Sequence, residues 1–289
     1  MANATPKKNA VKRKIVSNRN SKKRASFITR NKTLIISFLL VLLFTAGTVY
    51  HYREALLYYF SFKSDKILKE DKIAEARNFQ ILDKHKDRTF GLDVSQFQGK
   101  INWKIIDTIE EKFHLRFVFI RATAGKDRVD SEFKDNWIEA KKHHFIRGAY
   151  HYYRPNENSI AQADFFIQNV KLQKGDLPPV LDIEKLPKNQ SLDSLKIGLR
   201  RWLKKVGAHY KVKPIIYTGE KYYEDFLKKE FSEYTFWIAN YNFFVENIKN
   251  DWLFWQFTER ASIDGITEHV DLNIYNGTPK MLEYLTISN

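Results

Sequence analysis

From Thr33 to Tyr52 the chain carries no Asp, Glu, Lys or Arg, and the run TLIISFLLVLLFTAGTVY is mostly Leu, Ile, Val and Phe. Twenty helical residues rising roughly 1.5 Å each span about 30 Å, the thickness of a bilayer's hydrocarbon core. A helix buried in a soluble core ordinarily keeps a polar stripe, and this run has none. The expectation is a transmembrane helix over residues 33–52 that contacts the lipid bilayer directly. Such an element divides the chain, because the segments before and after it must fold apart.

Charge supplies the direction of insertion. Residues 1–32 hold 11 Lys and Arg and no acid, residues 53–89 hold nine basic and seven acidic residues, and residues 90–289 hold 29 and 27. Most of the net +15 therefore belongs to the tail. Phosphate-backbone binding by the folded part loses its support, and no nucleic acid is expected there. Basic residues ahead of an apolar run predict a cytoplasmic N-terminus, which puts everything after Tyr52 in the periplasm or outside the cell. Tyr50, Tyr52, Tyr58 and Tyr59 would suit the outer interface. A cleaved signal peptide competes, with Thr45-Ala46-Gly47 as a small-residue site. The basic segment is long for a signal and the apolar run exceeds an h-region, so an uncleaved signal-anchor is the preferred reading. Lys7 to Lys32 would also suit anionic lipid or RNA, although orientation of the anchor is the commoner role of such tails.

Residues 53–89 lack Pro and Gly and carry apolar residues at roughly helical spacing, which predicts a helical stalk, part of which can pack on the domain it supports. Residues 90–289 read as one domain. The chain has no cysteine, which excludes disulfides, thiolate zinc sites and a cysteine nucleophile. Its eight histidines show no HExxH, and no metal or cofactor is expected.

Within that domain short β-rich runs alternate with longer amphipathic stretches. The runs are Phe90–Asp93, Phe117–Ala122, Ile146–Tyr150, Pro179–Asp182, Pro214–Thr218, Phe236–Ala239, Leu253–Gln256 and Asp271–Tyr275. Gaps such as IAQADFFIQNV and SLDSLKIGLRRWLKKVGAHY have room for helices, whereas the last three runs lie closer together. The alternation predicts an α/β fold, an irregular (β/α) barrel of about eight mainly parallel strands. Gly91, Gly99, Gly125 and Gly148 read as turn residues.

Polar groups gather where these runs meet loops: Asp93, Arg121, Tyr150-His151-Tyr152, Asp182 with Glu184, Tyr217, Asn240-Tyr241, Gln256 and Asp271. In a parallel barrel the strand ends share one rim, where such folds keep their sites. Four acids converging with aromatic residues suit carbohydrate. Tyr150, Tyr152, Tyr217, Trp237 and Trp255 are candidates to stack on sugar faces, each with core packing as the plain alternative. Trp103 reads as core, and His151 as a hydrogen-bonding support. In VLDIE, Asp182 and Glu184 are two apart, so an extended strand projects both to one side. Glycoside cleavage needs a protonated carboxyl for the leaving oxygen and a second group to support the oxocarbenium-like centre. Two close carboxyls resist double ionisation. Glu184, longer and further out, suits the general acid, and Asp182 suits orientation or negative charge.

The ordered set GLDVSQFQGKINW, FVFIRATAG, GAYHYY, PPVLDIE, PIIYTGEKYY, FWIANYN, LFWQFT and VDLNIYNG resembles glycoside hydrolase family 25, the Chalaropsis-type lysozymes. The resemblance implies cleavage of the β-1,4 bond between N-acetylmuramic acid and N-acetylglucosamine in peptidoglycan glycan strands. It implies Glu184 as proton donor, Asp93 and Asp182 as further catalytic carboxyls, and Asp271 at the substrate. It also implies that the substrate's own N-acetyl group takes part, oriented by Asp182; a direct carboxylate nucleophile stays open. Tyr150, Tyr152, Tyr217, Trp237 and Gln256 complete the expected substrate contacts. One departure stands out: the family's usual Lys-Ala-Thr-Glu-Gly reads Arg121-Ala122-Thr123-Ala124-Gly125 here. A non-catalytic peptidoglycan-binding or scaffold module, and a hydrolase of another N-acetylated glycan, are the alternative readings.

Overall fold

The computed structural model describes residues 19–61 and 69–288. Most of the basic tail and the middle of the expected stalk lie outside them. The chain divides into two compact units, Met1–Arg53 and Glu54–Asn289.

The first unit contains helix α1 (Arg19–His51). Its segment Leu34–His51 has a mean hydropathy of 2.0 and none of it is buried, and among the described residues it alone is long and apolar enough to cross a membrane. Two threonines inside this segment satisfy their hydroxyls on the helix itself, Thr45 on the Val41 carbonyl (2.8 Å) and Thr48 on that of Phe44 (2.9 Å). Such back-bonding leaves the helix surface with few unmet polar groups.

All of α2 (Arg53–Ser61) after its first residue, and α3 (Lys69–Lys84), belong to the second unit. Residues 69–84, read from sequence as part of the stalk, lie against the barrel. Ala76, Ile81 and Leu82 are buried, and the Arg77 guanidinium donates to the carbonyls of Phe257 (2.7 Å) and Asn242 (3.0 Å). Of the charged residues that suggested a solvated stalk, Glu75 and Arg77 are buried against the barrel, and Glu75 accepts from the Ser262 amide (2.9 Å).

The strands are β1 (Thr89–Val94), β2 (Thr108–Ile109), β3 (Phe113–Ala124), β4 (Arg128–Val129), β5 (Ile146–Tyr152), β6 (Val180–Asp182), β7 (Ile215–Gly219), β8 (Phe236–Ala239), β9 (Phe254–Ala261) and β10 (Val270–Tyr275). Between them lie α4 (Phe133–Lys142), α5 (Ser159–Asn169), α6 (Leu192–Tyr210) and the single turn α7 (Glu220–Tyr222), and α8 (Pro279–Leu285) follows. Side chains of Asn158 and Ser191 cap α5 and α6, each accepting from backbone amides of the first turn. Eight strands close a barrel in the order β1-β10-β9-β8-β7-β6-β5-β3, with β1 pairing back to β3. Seven run parallel; β10 is antiparallel to both of its neighbours. No helix joins β8 to β9 or β9 to β10, as the short gaps in the sequence required.

Strand periodicity sorts the core into two layers. Phe117, Phe119, Val180, Trp237, Phe254 and Tyr275 fill the barrel, where the Phe119 ring on β3 stacks on Trp237 from β8 across the interior at 4.4 Å. Val118, Ile120, Leu181, Ile183 and Ile238 face outward to the helices. Gly91 and Gly148 are strand residues rather than the turn residues expected. A Cβ at Gly91 would sit 2.4 Å from the Phe117 carbonyl oxygen, and one at Gly148 would sit 2.6 Å from the Phe119 ring. Both glycines make room for the aromatic filling.

Candidate active site

Because β6 alternates, Val180 points into the barrel, Leu181 outward and Asp182 inward, with Ile183 outward again. The backbone stays tied to its neighbours beyond the strand: the Tyr153 amide donates to the Asp182 carbonyl (2.8 Å) and the Ile183 amide to that of Tyr217 (3.0 Å). Glu184 therefore follows Asp182 on the inner side, above the rim. Asp93 at the end of β1 faces Asp271 in register on β10. Since β10 runs antiparallel, its start lies level with the ends of the parallel strands. Asp271 thus joins the rim although it opens its strand.

These four carboxyls line one cleft of about 470 Å³. Tyr150 and Tyr152 line it too. A second cleft, lined by Tyr217 and Tyr241, meets the first at Glu184 and Lys185. The joined clefts form a groove with Glu184 between its halves.

Asp93 is the hub of a buried network. Its Oδ2 accepts from Gln256 Nε2 (2.7 Å) and Asn273 Nδ2 (2.8 Å). Gln256 Oε1 accepts in turn from the hydroxyls of Tyr217 (2.7 Å) and Tyr241, and Asn273 Oδ1 accepts from Trp237 Nε1 (2.7 Å). Burial raises the carboxyls of both Asp93 and Asp271, and a hydrogen bond joins them. Two amide donors already stabilise a charge on Asp93, so the proton that the pair shares belongs on Asp271.

Asp182 is buried and its Oδ1 has no hydrogen-bond partner. Burial first, then the charges of Glu184 and Asp93, hold its carboxyl well above the usual range, against the partial relief of Arg121 and Lys185. The Glu184 carboxyl is also raised, by loss of solvation among the groove walls and by Asp93 and Glu259, although its side chain remains open to the groove. The site therefore holds carboxyls that keep protons above ordinary carboxylate pH. One of them faces the groove and one presents a buried, unmet acceptor.

The aromatic candidates divide. Tyr150 and Tyr152 line the cleft. Trp237 is only 1% exposed and packs between Phe119 and Tyr217, so its ring offers no face to a sugar. Tyr217 and Gln256 are buried as well, and both serve the Asp93 network through hydrogen bonds. Trp255 points outward, its Nε1 on the Asn240 carbonyl (3.0 Å). Trp103 is core, as read. His151 lies outside the barrel wall, stacked on Trp202 and bonded to Thr123 and Gln162; burial lowers its pKa to about 3.

Sequence reasoning missed three parts of the site. Asn273 follows Asp271 by two, so the period that placed Asp182 and Glu184 on one side could have found it. Phe97 stands 69% exposed at the rim beneath the Arg121 guanidinium, 4.6 Å from its ring centre. Arg128 and Arg154 complete a cationic wall of the cleft. Nothing in the local sequence marks them.

Known proteins resemble this chain in sequence and fold. The sequence pattern of "Glycosyl hydrolases family 25" matches residues 92–266. YegX of Escherichia coli strain K12 is 39% identical over 197 residues, which cover 67% of this chain and 71% of that protein. Lysozyme M1 of Streptomyces globisporus is 32% identical over 207 residues, covering 66% of this chain and 69% of its own. The crystal structure of the bacterial lysozyme from Streptomyces coelicolor aligns with a TM-score of 0.62 at 28% identity, covering 69% of this chain and 97% of that one. With a matched segment that runs from the rim of β1 to the loop before β10, the chain belongs to glycosyl hydrolase family 25.

Proposed function

We propose that the protein hydrolyses peptidoglycan at the β-1,4 bond between N-acetylmuramic acid and N-acetylglucosamine, with Glu184 as general acid. The observation that carries this reading is the position of Glu184, its pKa raised by loss of solvation and its side chain open to solvent where two clefts join. A glycan strand lying along both clefts would cross Glu184 at one of its linkages. Similarity to Lysozyme M1, and to the N,O-diacetylmuramidase of Chalaropsis sp at 30% identity over 145 residues, supports the choice of substrate.

Asp182 would orient the substrate's N-acetyl group. Its buried Oδ1 lacks a donor, and an amide N–H is a neutral donor that could fill the position. A hydrogen bond donated to Asp182 favours its ionised form, which leaves the proton of the pair on Glu184, where the leaving oxygen needs it. Substrate binding would thus set the protonation state the reaction requires. Asp93, held by the buried network and paired with the protonated Asp271, would shape the negative field beneath the developing positive charge.

The segment Leu34–His51 would anchor the enzyme in the membrane, with the basic residues before it in the cytoplasm and the barrel on the peptidoglycan side. Its apolar, unburied surface and its back-bonded threonines support that role.

Digestion of purified peptidoglycan by the full chain in detergent, wild type beside Glu184→Gln, tests the proposal. Wild type should release fragments ending in reduced muramic acid after borohydride treatment, read by mass spectrometry. Glu184→Gln should lose at least about a hundredfold in rate while keeping glycan binding. Equal rates would remove Glu184 from the role, and fragments ending in reduced glucosamine would overturn the bond assignment.

A further inference from the structure

One wall of the cleft carries charge that the proposed hydrolysis does not use. Arg121, Arg128, Arg154 and Lys185 line the same cavity as the catalytic carboxyls. Arg121 is held in place by Asp130 (2.7 Å) and by the Phe97 ring beneath it. Arg154 reaches Asp127 (3.3 Å) and Glu157 (3.1 Å) and lies against the turn at Gly125. That turn has φ +60, and a Cβ there would meet the Arg154 Cδ at 2.7 Å, so the glycine is what lets the arginine fold over the hairpin.

Arg128 differs from these. It stands directly across the β3–β4 ladder from Ala124, is exposed, and its side chain makes no hydrogen bond or ion pair among the described residues. The methyl group of Ala124 offers no acceptor, so nothing across the strand neutralises the guanidinium. Two guanidiniums, Arg128 opposite Ala124 and Arg154 over Gly125, therefore flank one tight hairpin at the cleft. Planar, multidentate donors of this kind match oxyanions.

We propose that this cationic wall binds an anionic substituent of the glycan strand beside the cleavage site, a carboxylate of the attached peptide or a phosphodiester on the sugar. The proposal rests on the peptidoglycan reading above and names the form of substrate the cleft prefers. A strand stripped of its charged substituents would leave Arg128 unmet, and an intact strand would fill it.

Binding, rather than cleavage, separates this claim from the reaction itself. Full chain carrying Glu184→Gln would be titrated with soluble glycan fragments in three forms: untreated, amidated at the peptide carboxylates, or freed of phosphodiesters with hydrofluoric acid. Untreated fragments should bind about fivefold or more tighter than one of the two treated forms, a preference that weakens with added salt. Loss on amidation assigns the carboxylate, and loss on acid treatment assigns the phosphodiester. Adding Arg128→Gln, or separately Ala124→Glu, should bring the ratio close to one. Equal affinity for all three forms, or a preference that survives both added substitutions, would overturn the proposal, whether or not wild type cleaves.

Discussion

At the start of β5, Arg147 and Asp176 bury their charges together at 2.8 Å, each about 5% exposed or less by side chain. Every charged group there is met: Arg147 lies on the Trp137 ring (4.0 Å) and donates to the Trp137 carbonyl, and Asp176 accepts from the Gln173 amide (2.7 Å). At the other end of the same strands, Asp93, Asp182 and Asp271 are gathered with Glu184, and one Asp182 oxygen has no donor. The same barrel therefore closes one end with a matched ion pair and gathers four carboxyls at the other, where the cations stand on one wall of the cleft. The closed end holds the fold. The open end keeps protons that a solvated carboxyl would lose, and it does so at a cost in stability, since burial penalises each charge and Arg121 and Lys185 relieve Asp182 only in part.

The comparison breaks most visibly at the closed end. Arg147→Ala should destabilise the barrel by about 3–5 kcal/mol, because it strands the buried Asp176 charge. Chemical denaturation would read this as a lower midpoint. The rate measured where the variant is still folded should be near that of wild type, as Arg147 lies far along the strand from Glu184.

A smaller effect should appear in the pH dependence. Glu184 must be protonated to act, and its pKa is raised. Activity should therefore persist above the ordinary carboxylate range and fall as pH rises through the raised value. On the acid side it should fall as Asp93, also raised, takes up a proton. A bell displaced upward in kcat/KM checks this. An alkaline limb at an unshifted glutamate pKa would mean that the groove walls do not desolvate Glu184.

Much of this arrangement was legible in the sequence, for identifiable reasons. Period-two alternation fixed which residues of β6 face inward, and hence that Asp182 and Glu184 share a side. Gaps between runs told which connections hold helices. Local patterns do not encode the strand neighbours across the barrel. Trp237 reads as a sugar platform at a strand end, but Phe119, four strands away, covers its ring, and Tyr217, which lines the second cleft, also gives its hydroxyl to Gln256. The antiparallel course of β10 was equally invisible, and only by that course does Asp271 reach the rim. The pairing of Ala124 with Arg128 depends on a three-residue hairpin whose turn Gly125 signals but whose register no local pattern gives.

The claim that the mouth of the barrel trades stability for chemistry is tested most directly with Asp182→Asn, followed on one sample for both folding and rate. Asp182 has its pKa raised on folding, so above its unfolded value the native state must either hold a proton against the solvent or bury a charge. That penalty grows with pH and is absent for Asn. The account predicts a variant about 1–2 kcal/mol more stable than wild type at pH 7, with the gain shrinking toward zero near pH 4, and at least about tenfold slower on peptidoglycan. A variant less stable at pH 7, or one equally stable at both pH values, would contradict it.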